Sequence, residues 1–404
     1  MIILGIETSC DETAISLIEF KRPFLGLGRP KIKILANELI SQIKIHEQYG
    51  GVFPMMAKRE HANNLVPLLL KILEKTEPAK NFSLTEHSSI LQNARMDFEK
   101  DKILFENIKN SLDKLVRPKR LDAIAVTNGP GLEPCLWTGL NFAKVLGRLW
   151  NVPVIPTNHM EGHIVVSLLK PKCKSQNGKL EYQIQKPEFP AISLLISGGH
   201  TELVLMKDWG QYEIVGQTKD DAVGEAFDKV ARILGLPYPG GPQISELADK
   251  ARKSELKVES EKLQVIRLPR PMLKSDNLDF SFSGLKTAVL YFVQKIGVLT
   301  DDNRKQIARE FEDSVVEVLT VKTAKAIEQF GAKSLILGGG VIANKEIRQA
   351  FTKLADEKSL RLFLPQLDHA TDNAIMISIA GALNLKGHVG TTNQLIASGN
   401  LKLS

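Results

Sequence analysis

Short apolar runs closed by polar or glycine-rich turns alternate along this chain with stretches of helical periodicity. That alternation predicts an α/β protein. Ile2–Ile6 is apolar, Glu7–Thr13 is a polar turn, and Ala14–Phe20 is apolar again, which reads as strand, turn, strand. His61–Leu73 has helical spacing, with Leu65, Leu68, Leu69 and Ile72 on one face. Leu121–Thr127 predicts a strand closed by Asn-Gly-Pro-Gly-Leu, followed by a helix over Trp137–Leu149, a strand over 152–156 and a helix over His159–Leu169. Further on, Ala191–Ile196, a Ser-Gly-Gly-His turn and Thr201–Met206 repeat the strand-turn-strand pattern. Asp221–Leu234 reads as a helix ended by the run GLPYPGGP, and Arg304–Phe330 as a long helix. Residues 334–340 form a strand running into three glycines and a helix, LFLP is a last core strand, and Asn373–Leu383 a last helix.

Two stretches break the pattern. Pro78–Arg120 is rich in Lys, Glu, Asn and Ser, with Ile103, Phe105, Ile108 and Leu112 as amphipathic patches, and reads as a solvated helical insertion. Lys170–Pro187 carries five lysines and reads as a flexible basic connection. The two hairpin-like sites, one per half, suggest two similar domains whose turns face one ligand, a phosphate chain being the natural candidate. The expected division is 1–157 and 158–404, the second domain carrying the metal and nucleotide sites and the last helix packing back on the first.

Composition changes this picture little. The 404 residues suggest two or three domains, and 43% hydrophobic with 25% charged residues excludes a disordered, collagen-like or disulfide-miniprotein chain. A net charge of +7 permits nucleic acid as a partner without requiring it. Cys10, Cys135 and Cys173 are far apart with no CxxC, so a disulfide framework or thiolate zinc site is not expected. The N-terminus lacks a basic targeting region, and Ala374–Leu385 is too short and too rich in Gly and Asn to span a bilayer. A cytoplasmic protein without a membrane partner is expected.

Candidate chemistry is sharper. His159 and His163, at i and i+4 of a predicted helix, present both imidazoles on one face, as a divalent metal requires. Taken alone, the pair also fits two unrelated surface histidines. Glu161 lies off that face, so this is not the HExxH of a metallopeptidase. Asp372 leads as third ligand, with Asp368 and His369 as alternatives; Asp372 would equally serve as a helix cap. Two His and one carboxylate suit Fe(II) or Zn(II) acting as a Lewis acid. The turn Ser197–Thr201 and the run Gly338–Gly340 allow backbone to approach a ligand closely, with Asn344 placed for the polar edge of a nucleotide. Asp11 and Glu12 are adjacent acids in a turn, suited to hold a metal-bound phosphate, to orient a nucleophile, or simply to make the turn. Asp220, Asp221, Glu225 and Asp228 crowd one helical stretch; Asp228 is the candidate for a ribose hydroxyl, with Gly240, Gly241 and Pro242 closing over the sugar.

Together these residues resemble the bacterial type of the tRNA N6-adenosine threonylcarbamoyltransferase family. The resemblance rests on GIETSCDET (5–13), GGVFPMMAKREH (50–61), GPGL (129–132), NHMEGH (158–163), LLISGGHTEL (194–203), DDAVGEAFDKVARILGLPYPGGP (220–242), LDFSFSGLKTAV (278–289), GGGVIAN (338–344) and ATDNA (370–374). It implies the fold of actin, sugar kinases and heat-shock ATPases, two duplicated RNase H-like α/β domains around a nucleotide cleft. It implies transfer of threonylcarbamoyl from threonylcarbamoyl-adenylate to N6 of adenosine 37 in tRNAs that read ANN codons, with AMP leaving. It implies His159, His163 and Asp372 as metal ligands, usually for iron, and Leu195, Ile196, Ser197, Gly198, Gly199, Asp228, Gly241 and Asn344 as adenylate-binding positions. It implies an inactive paralogue and a small ATPase as partners beside tRNA. The basic patches Lys170–Lys174 and Arg117–Arg120 are candidate grips on its phosphates and equally fit a solvated surface. The proposed proton acceptor is Asp11 or Glu12. Met55 stands where the family usually has Glu, and the 78–120 insertion is unusually long. A glycoprotein metallopeptidase and a small-molecule kinase of the same fold are the competing readings; the first lacks a placed base and the second has no use for the histidine pair.

Overall fold

The computed structural model describes residues 1–22, 28–79, 83–99, 101–174, 180–255, 266–385 and 395–403. The chain forms two compact units, one of residues 1–44, 52–186 and 372–403, the other of 45–51 and 187–371.

The first unit is built on β1 (Ile2–Glu7), β2 (Glu12–Lys21), β3 (Lys31–Ser41), β4 (Ala123–Gly129), β5 (Val154–Asn158), β6 (Leu169–Lys174) and β7 (Leu180–Ile184). Among the described residues these form one sheet in the order β5-β4-β1-β2-β3-β7-β6. β1 runs antiparallel to β2 and parallel to β4. Its Ile3, Leu4 and Ile6 are fully buried, as a strand covered on both faces must be. Leu4 and Ile6 join a core with the helices Pro54–Leu73 and Glu133–Trp150. On the other face Gly5 meets the final helix, Ala374–Asn384, which is apolar nearly all round and buried accordingly.

The second unit holds β8 (Ala191–Ile196), β9 (Thr201–Asp208), β10 (Gln211–Gln217), β11 (Ser334–Gly338) and β12 (Arg361–Phe363), in the order β10-β9-β8-β11-β12. That order and its strand senses repeat β3-β2-β1-β4-β5, with two antiparallel pairs followed by two parallel ones. The likeness of the two hairpins in the sequence is therefore a likeness of whole sheets. The long helix spans Asp301–Phe330, capped by Thr300 Oγ1 and stopped by Gly331 in the left-handed region. The helices Gly240–Glu255 and Ser283–Ile296 were not legible in the sequence. Asp220 anchors the start of the latter, accepting from Phe282 N at 2.8 Å and from the Ser281 and Ser283 hydroxyls at 2.6 Å each.

Three expectations need correction or refinement. The basic stretch after Lys170 is not a plain connection: β6 and β7 pair with each other, and β7 extends the sheet from β3. In β7 Tyr182 and Ile184 are buried while Glu181 and Gln183 are partly exposed, a period of two hidden beside the exposed Lys170 and Lys172 of β6. Residues 175–179 lie outside the described residues. The 78–120 insertion contains the helices Leu84–Asn93 and Lys102–Asn110, yet it is not a solvated elaboration. Leu91, Phe98, Leu104, Ile108, Leu112 and Leu115 belong to the core of the first unit. Its inner face runs through Leu104, Ile108 and Leu112, while Ile103 is 42% exposed. Asn107 Nδ2 donates to the Ala62 carbonyl at 3.0 Å and Trp150 Nε1 to the Leu115 carbonyl at 2.9 Å, which pins the insertion to the helices Pro54–Leu73 and Glu133–Trp150. Finally, the compact units do not divide the chain at 157/158: residues 158–186 and 372–403 pack with the N-terminal sheet, because the histidine helix and the final helix cover its strands.

The seam of the insertion carries a pH-dependent element. Asp101 is buried and accepts from Thr138 Oγ1 at 2.8 Å. Burial pushes its carboxyl above the usual range, opposed by the Thr138 bond and by Lys58. A carboxyl raised in the folded state binds its proton more tightly there than in the unfolded chain. Its contribution is therefore most favourable below the unfolded pKa of about 3.9 and falls as pH rises through the folded value. Asp101→Asn keeps an acceptor for Thr138 and removes the buried charge. It is expected to leave stability at pH 7 equal or higher and to flatten the pH dependence above pH 4, read from urea midpoints across pH. A clear loss of stability at pH 7 would show that the charge is favourable where it stands.

Candidate functional site

The site of the first unit begins at the end of β1. Glu7 closes the strand, Thr8 to Asp11 make the turn, and Glu12 opens β2. Leu132 N donates to the Ser9 carbonyl at 2.8 Å, and Thr8 Oγ1 donates to the Cys135 carbonyl at 3.0 Å. His61, fully buried, completes the hold: one ring nitrogen lies 2.9 Å from the Cys10 carbonyl and the other 2.8 Å from Thr13 Oγ1. The carbonyl can only accept, so Nε2 carries the proton and Nδ1 accepts from the threonine hydroxyl. The turn therefore holds Asp11 and Glu12 on fixed backbone. Burial, with Asp11 and Asp372 nearby, pushes the Glu12 carboxyl well above the usual range. The same surroundings push the Cys10 thiol up, and burial with Asp11 raises Cys135 to about 12. Both are free thiols and neither is a nucleophilic thiolate at neutral pH. The side chain of Cys173 lies outside the described residues.

β5 then delivers the histidines. Asn158 Oδ1 accepts from Met160 N at 2.9 Å and Glu161 N at 3.2 Å, so the helix His159–Ser167 starts with His159 in its first turn and His163 one turn on. The rings meet edge to face with centroids 4.7 Å apart. Asp372 Oδ1 lies 3.4 Å from His159 Nε2 and 3.1 Å from His163 Nε2. The three donor atoms lie within 4.8 Å of one another. Asp372 is free for this because Asn373, not Asp372, caps the final helix, accepting from Met376 N at 3.1 Å. Asp368 and His369, the alternatives, are outside the cluster. Glu161 is turned elsewhere, accepting from Asn384 Nδ2 at 2.7 Å.

The donor set fits a metal ion. His163 is fully buried; its Nδ1 has no hydrogen-bond partner, and its Nε2 faces Asp372 Oδ1 at 3.1 Å without a well-directed hydrogen bond. A buried polar atom without a partner is costly, and ligation is what would satisfy Nε2. Two donors each about 2.1 Å from a tetrahedral ion sit about 3.4 Å apart, close to the two His–Asp separations found here. Burial works against charge on His159, but Asp372 and Glu7 outweigh it and hold its pKa well above the usual value. The same pair effect, led by His159 against the cost of burial, holds the Asp372 carboxyl far below its usual range.

The second unit carries the other candidate residues. Leu195 and Ile196 end β8, and Ser197 to Gly199 form the turn. Ser197 Oγ accepts from His200 N at 3.1 Å, and Gly224 N donates to the Ser197 carbonyl at 3.2 Å, which sets the start of the helix Val223–Ile233 beside the turn. A Cβ at Gly198, Gly199 or Gly241 would meet nothing within 4 Å, so packing does not require glycine at these three positions. Gly339 differs: its φ is +94° and a Cβ would collide with the Ile196 backbone. Asp228 Oδ1 accepts from Gly240 N at 2.7 Å, which joins the aspartate to the glycine loop. Asn344 caps the helix Lys345–Glu357 through Oδ1, and its Nδ2 donates to Ser245 Oγ at 2.6 Å and Glu312 Oε1 at 2.7 Å. Asp220 and Asp221 are structural, anchoring the start of helix Ser283–Ile296 and pairing with Lys229 at 2.6 Å.

The family model described as tRNA N6-adenosine threonylcarbamoyltransferase matches residues 33–83 and 101–379. The chain belongs to this family. The tRNA N6-adenosine threonylcarbamoyltransferase of Chromobacterium violaceum is 41% identical over 390 residues, spanning 96% of this chain and 94% of the relative. Those of Herminiimonas arsenicoxydans and Paraburkholderia xenovorans are 40% and 38% identical, each over 96% of this chain, and 92% and 93% of the relatives. The chain is thus a tRNA threonylcarbamoyltransferase, a tRNA-modifying enzyme, with the α/β fold of the actin, sugar-kinase and heat-shock-ATPase type. The threonylcarbamoyltransferase family is metal-dependent, and the His/Asp cluster is a place for such an ion. The family match skips 84–100, the heart of the insertion. Among the described residues no helix is long and apolar enough to cross a membrane.

Two contributors escaped the sequence reading. In the sequence Glu7 reads as the start of a polar turn, and His61 as one end of a helix. The available signal for Glu7 was its place: a carboxylate closing a fully apolar strand is buried unless the strand ends early.

Proposed function

We propose that this chain transfers threonylcarbamoyl from threonylcarbamoyl-adenylate to N6 of adenosine 37 in tRNAs reading ANN codons, releasing AMP. The observation that carries the reading is the convergence of buried His159 and His163 with the half-buried Asp372, whose Oδ1 lies 3.4 and 3.1 Å from the two Nε2 atoms. These three residues would hold Fe2+, with Zn2+ as the second choice. Such an ion supplies Lewis-acid stabilisation of negative charge on the departing phosphate.

The rest falls to the chain's own residues. The donor is a mixed anhydride, already activated, so no covalent enzyme intermediate is needed; the suppressed thiols at Cys10 and Cys135 agree with that. The N6 amine is a weak nucleophile and must lose a proton as the new C–N bond forms. Glu12, or Asp11 beside it, would take that proton. A carboxylate of raised pKa is a better base than an ordinary one. The turn Ser197–Gly199, open at Gly198 and Gly199, would receive the adenylate at the end of the strand formed by Leu195 and Ile196, with Asp228 and Gly241 at its sugar. Asn344 would contribute through the place its cap gives the Gly340–Ala343 turn. Adenosine 37 lies in a single-stranded loop, where a base is splayed out at modest cost. Lys170–Lys174 and Arg117–Arg120 are proposed grips on tRNA phosphates. An inactive paralogue and a small ATPase are the proposed partners, and the cytoplasm the proposed site of action. The peptidase reading is disfavoured because Glu161 is engaged by Asn384 instead of standing at the histidines.

Two glycines give a direct test of the adenylate turn. Gly198→Ala and Gly199→Ala are expected to change stability by no more than about 0.5 kcal/mol, since the added methyl groups meet open space. The KM for the adenylate donor should rise at least about tenfold if that space belongs to the ligand. An unchanged KM would move the donor elsewhere. The reaction itself is tested by nucleoside analysis of tRNA incubated with this chain, threonine, bicarbonate, ATP, an adenylate synthase and the two partners. Product that depends on the chain is expected; none, with the synthase active and partners from the same source, would overturn the reading.

A further inference from the structure

We propose that Glu7 is the positioning residue of the metal centre, fixing the tautomer of His159 and tying that ligand to the acidic turn. The inference rests on the metal reading above and concerns a residue that does not itself belong to the ligand set.

Glu7 is fully buried, yet it is a carboxylate among hydrogen-bond donors. Oε1 accepts from Ser9 N at 2.5 Å. Oε2 accepts from Thr127 Oγ1 at 2.6 Å and lies 3.2 Å from His159 Nδ1. Three elements thus meet on one side chain: the turn after β1, the strand β4 and the helix His159–Ser167. The backbone N–H of Ser9 can only donate, so Oε1 must accept. A carboxylate accepts at both oxygens, so His159 places its proton on Nδ1. In the neutral imidazole that a metal requires, Nε2 is then the nitrogen with the lone pair, on the Asp372 Oδ1 side where an ion would sit. Neutral imidazole ligates only through an unprotonated nitrogen, so this choice of tautomer is what makes His159 a ligand. His163 has no such partner on its Nδ1, so Glu7 acts on His159 alone.

Glutamine tests this because it is isosteric and cannot satisfy both ends. With its oxygen toward His159, its amide group faces the Ser9 N–H, donor against donor. Turned the other way, the amide faces His159 Nδ1 and drives the proton to Nε2. Glu7→Gln is expected to weaken binding of Fe2+ (anaerobic) and of Zn2+ by about 10- to 100-fold in competition with a chromophoric chelator. Thr127→Val, which removes a donor from the same oxygen but leaves the histidine contact, is expected to weaken it much less. The tautomer is read separately by nitrogen NMR of labelled histidine in the metal-free protein at alkaline pH, His159 being assigned by its loss in His159→Gln. Wild type should show Nδ1–H and Glu7→Gln a shift toward Nε2–H. Metal affinity within twofold of wild type in Glu7→Gln, or an Nε2–H tautomer in the wild type, would overturn the proposal. If Glu7→Gln fails to fold, the wild-type tautomer still decides. If the wild type binds neither metal, the metal reading fails by itself, and the tautomer measurement alone judges Glu7.

Discussion

His159→Ala is expected to lose its metal and to lower threonylcarbamoyl transfer by about 10²-fold or more, the scale at which removal of one preorganised stabiliser of transition-state charge is felt. The substitution removes a ligand, and it also leaves Asp372 facing a single imidazole and Glu7 without one of its donors. Metal analysis of the purified variant and nucleoside analysis of treated tRNA measure the two effects separately. His369→Ala is the control, because His369 is buried close in sequence to Asp372 but lies outside the donor cluster. It should keep its metal. Wild-type transfer by metal-free His159→Ala protein would show that the ion takes no part in the chemistry, whatever its role in the fold.

The largest expected effect on stability belongs to a glycine far from any ligand atom. In the central strand, a Cβ on Gly5 would overlap Ser378 Oγ and the Ala374 carbonyl oxygen, and it would lie 2.9 Å from Ser378 N. Two of these atoms are helix backbone, and the strand is paired on both sides to β2 and β4, so neither partner can retreat alone. The collision also falls on the short Ser16–Ser378 hydroxyl contact of 2.5 Å. Gly5→Ala is expected to cost about 3 kcal/mol or more, a large part of the 5–15 kcal/mol by which domains are usually stable. The urea midpoint reads it. Because the helix that must move begins two residues after Asp372, metal affinity should fall in the folded fraction as well. A midpoint unchanged by the methyl group would mean that the final helix is not seated on β1 as described.

The parts of this molecule that were legible in its sequence share a cause: local pattern and tertiary demand agree there. The runs Ile2–Ile6 and Ala191–Ile196 are apolar because they are central strands, and both ends of each turn are marked by polar or glycine residues. His159 and His163 declare a shared face by spacing alone, and the structure brings Asp372 to that face from the far end of the chain. Where the local pattern misleads, a long-range partner outweighs composition. Lysines at 170 and 172 hid β6, whose register is set by β7, itself paired to β3. In the insertion the polar count masked Leu104, whose neighbour Ile103 drew attention while pointing outward. Asn344 and Asp220 were readable as polar candidates but not as a helix cap bound to Glu312 or an anchor for Ser283–Ile296, since their partners are far away in sequence. Glu7 and His61 were missed for the same reason.

The first unit is closed only by residues 372–403, although its sheet and both histidines precede residue 187. Synthesis proceeds from the N-terminus, and domains generally fold as they emerge. Here that order cannot hold. The nascent chain presents two imidazoles without their carboxylate, and one face of β1 without the helix that covers it, throughout production of the entire second unit. Capture of an ion by His159, His163 and Asp372 would therefore wait until the final helix has been made, and a message cut short before it would yield a chain that cannot cover the face of β1 on which that helix lies.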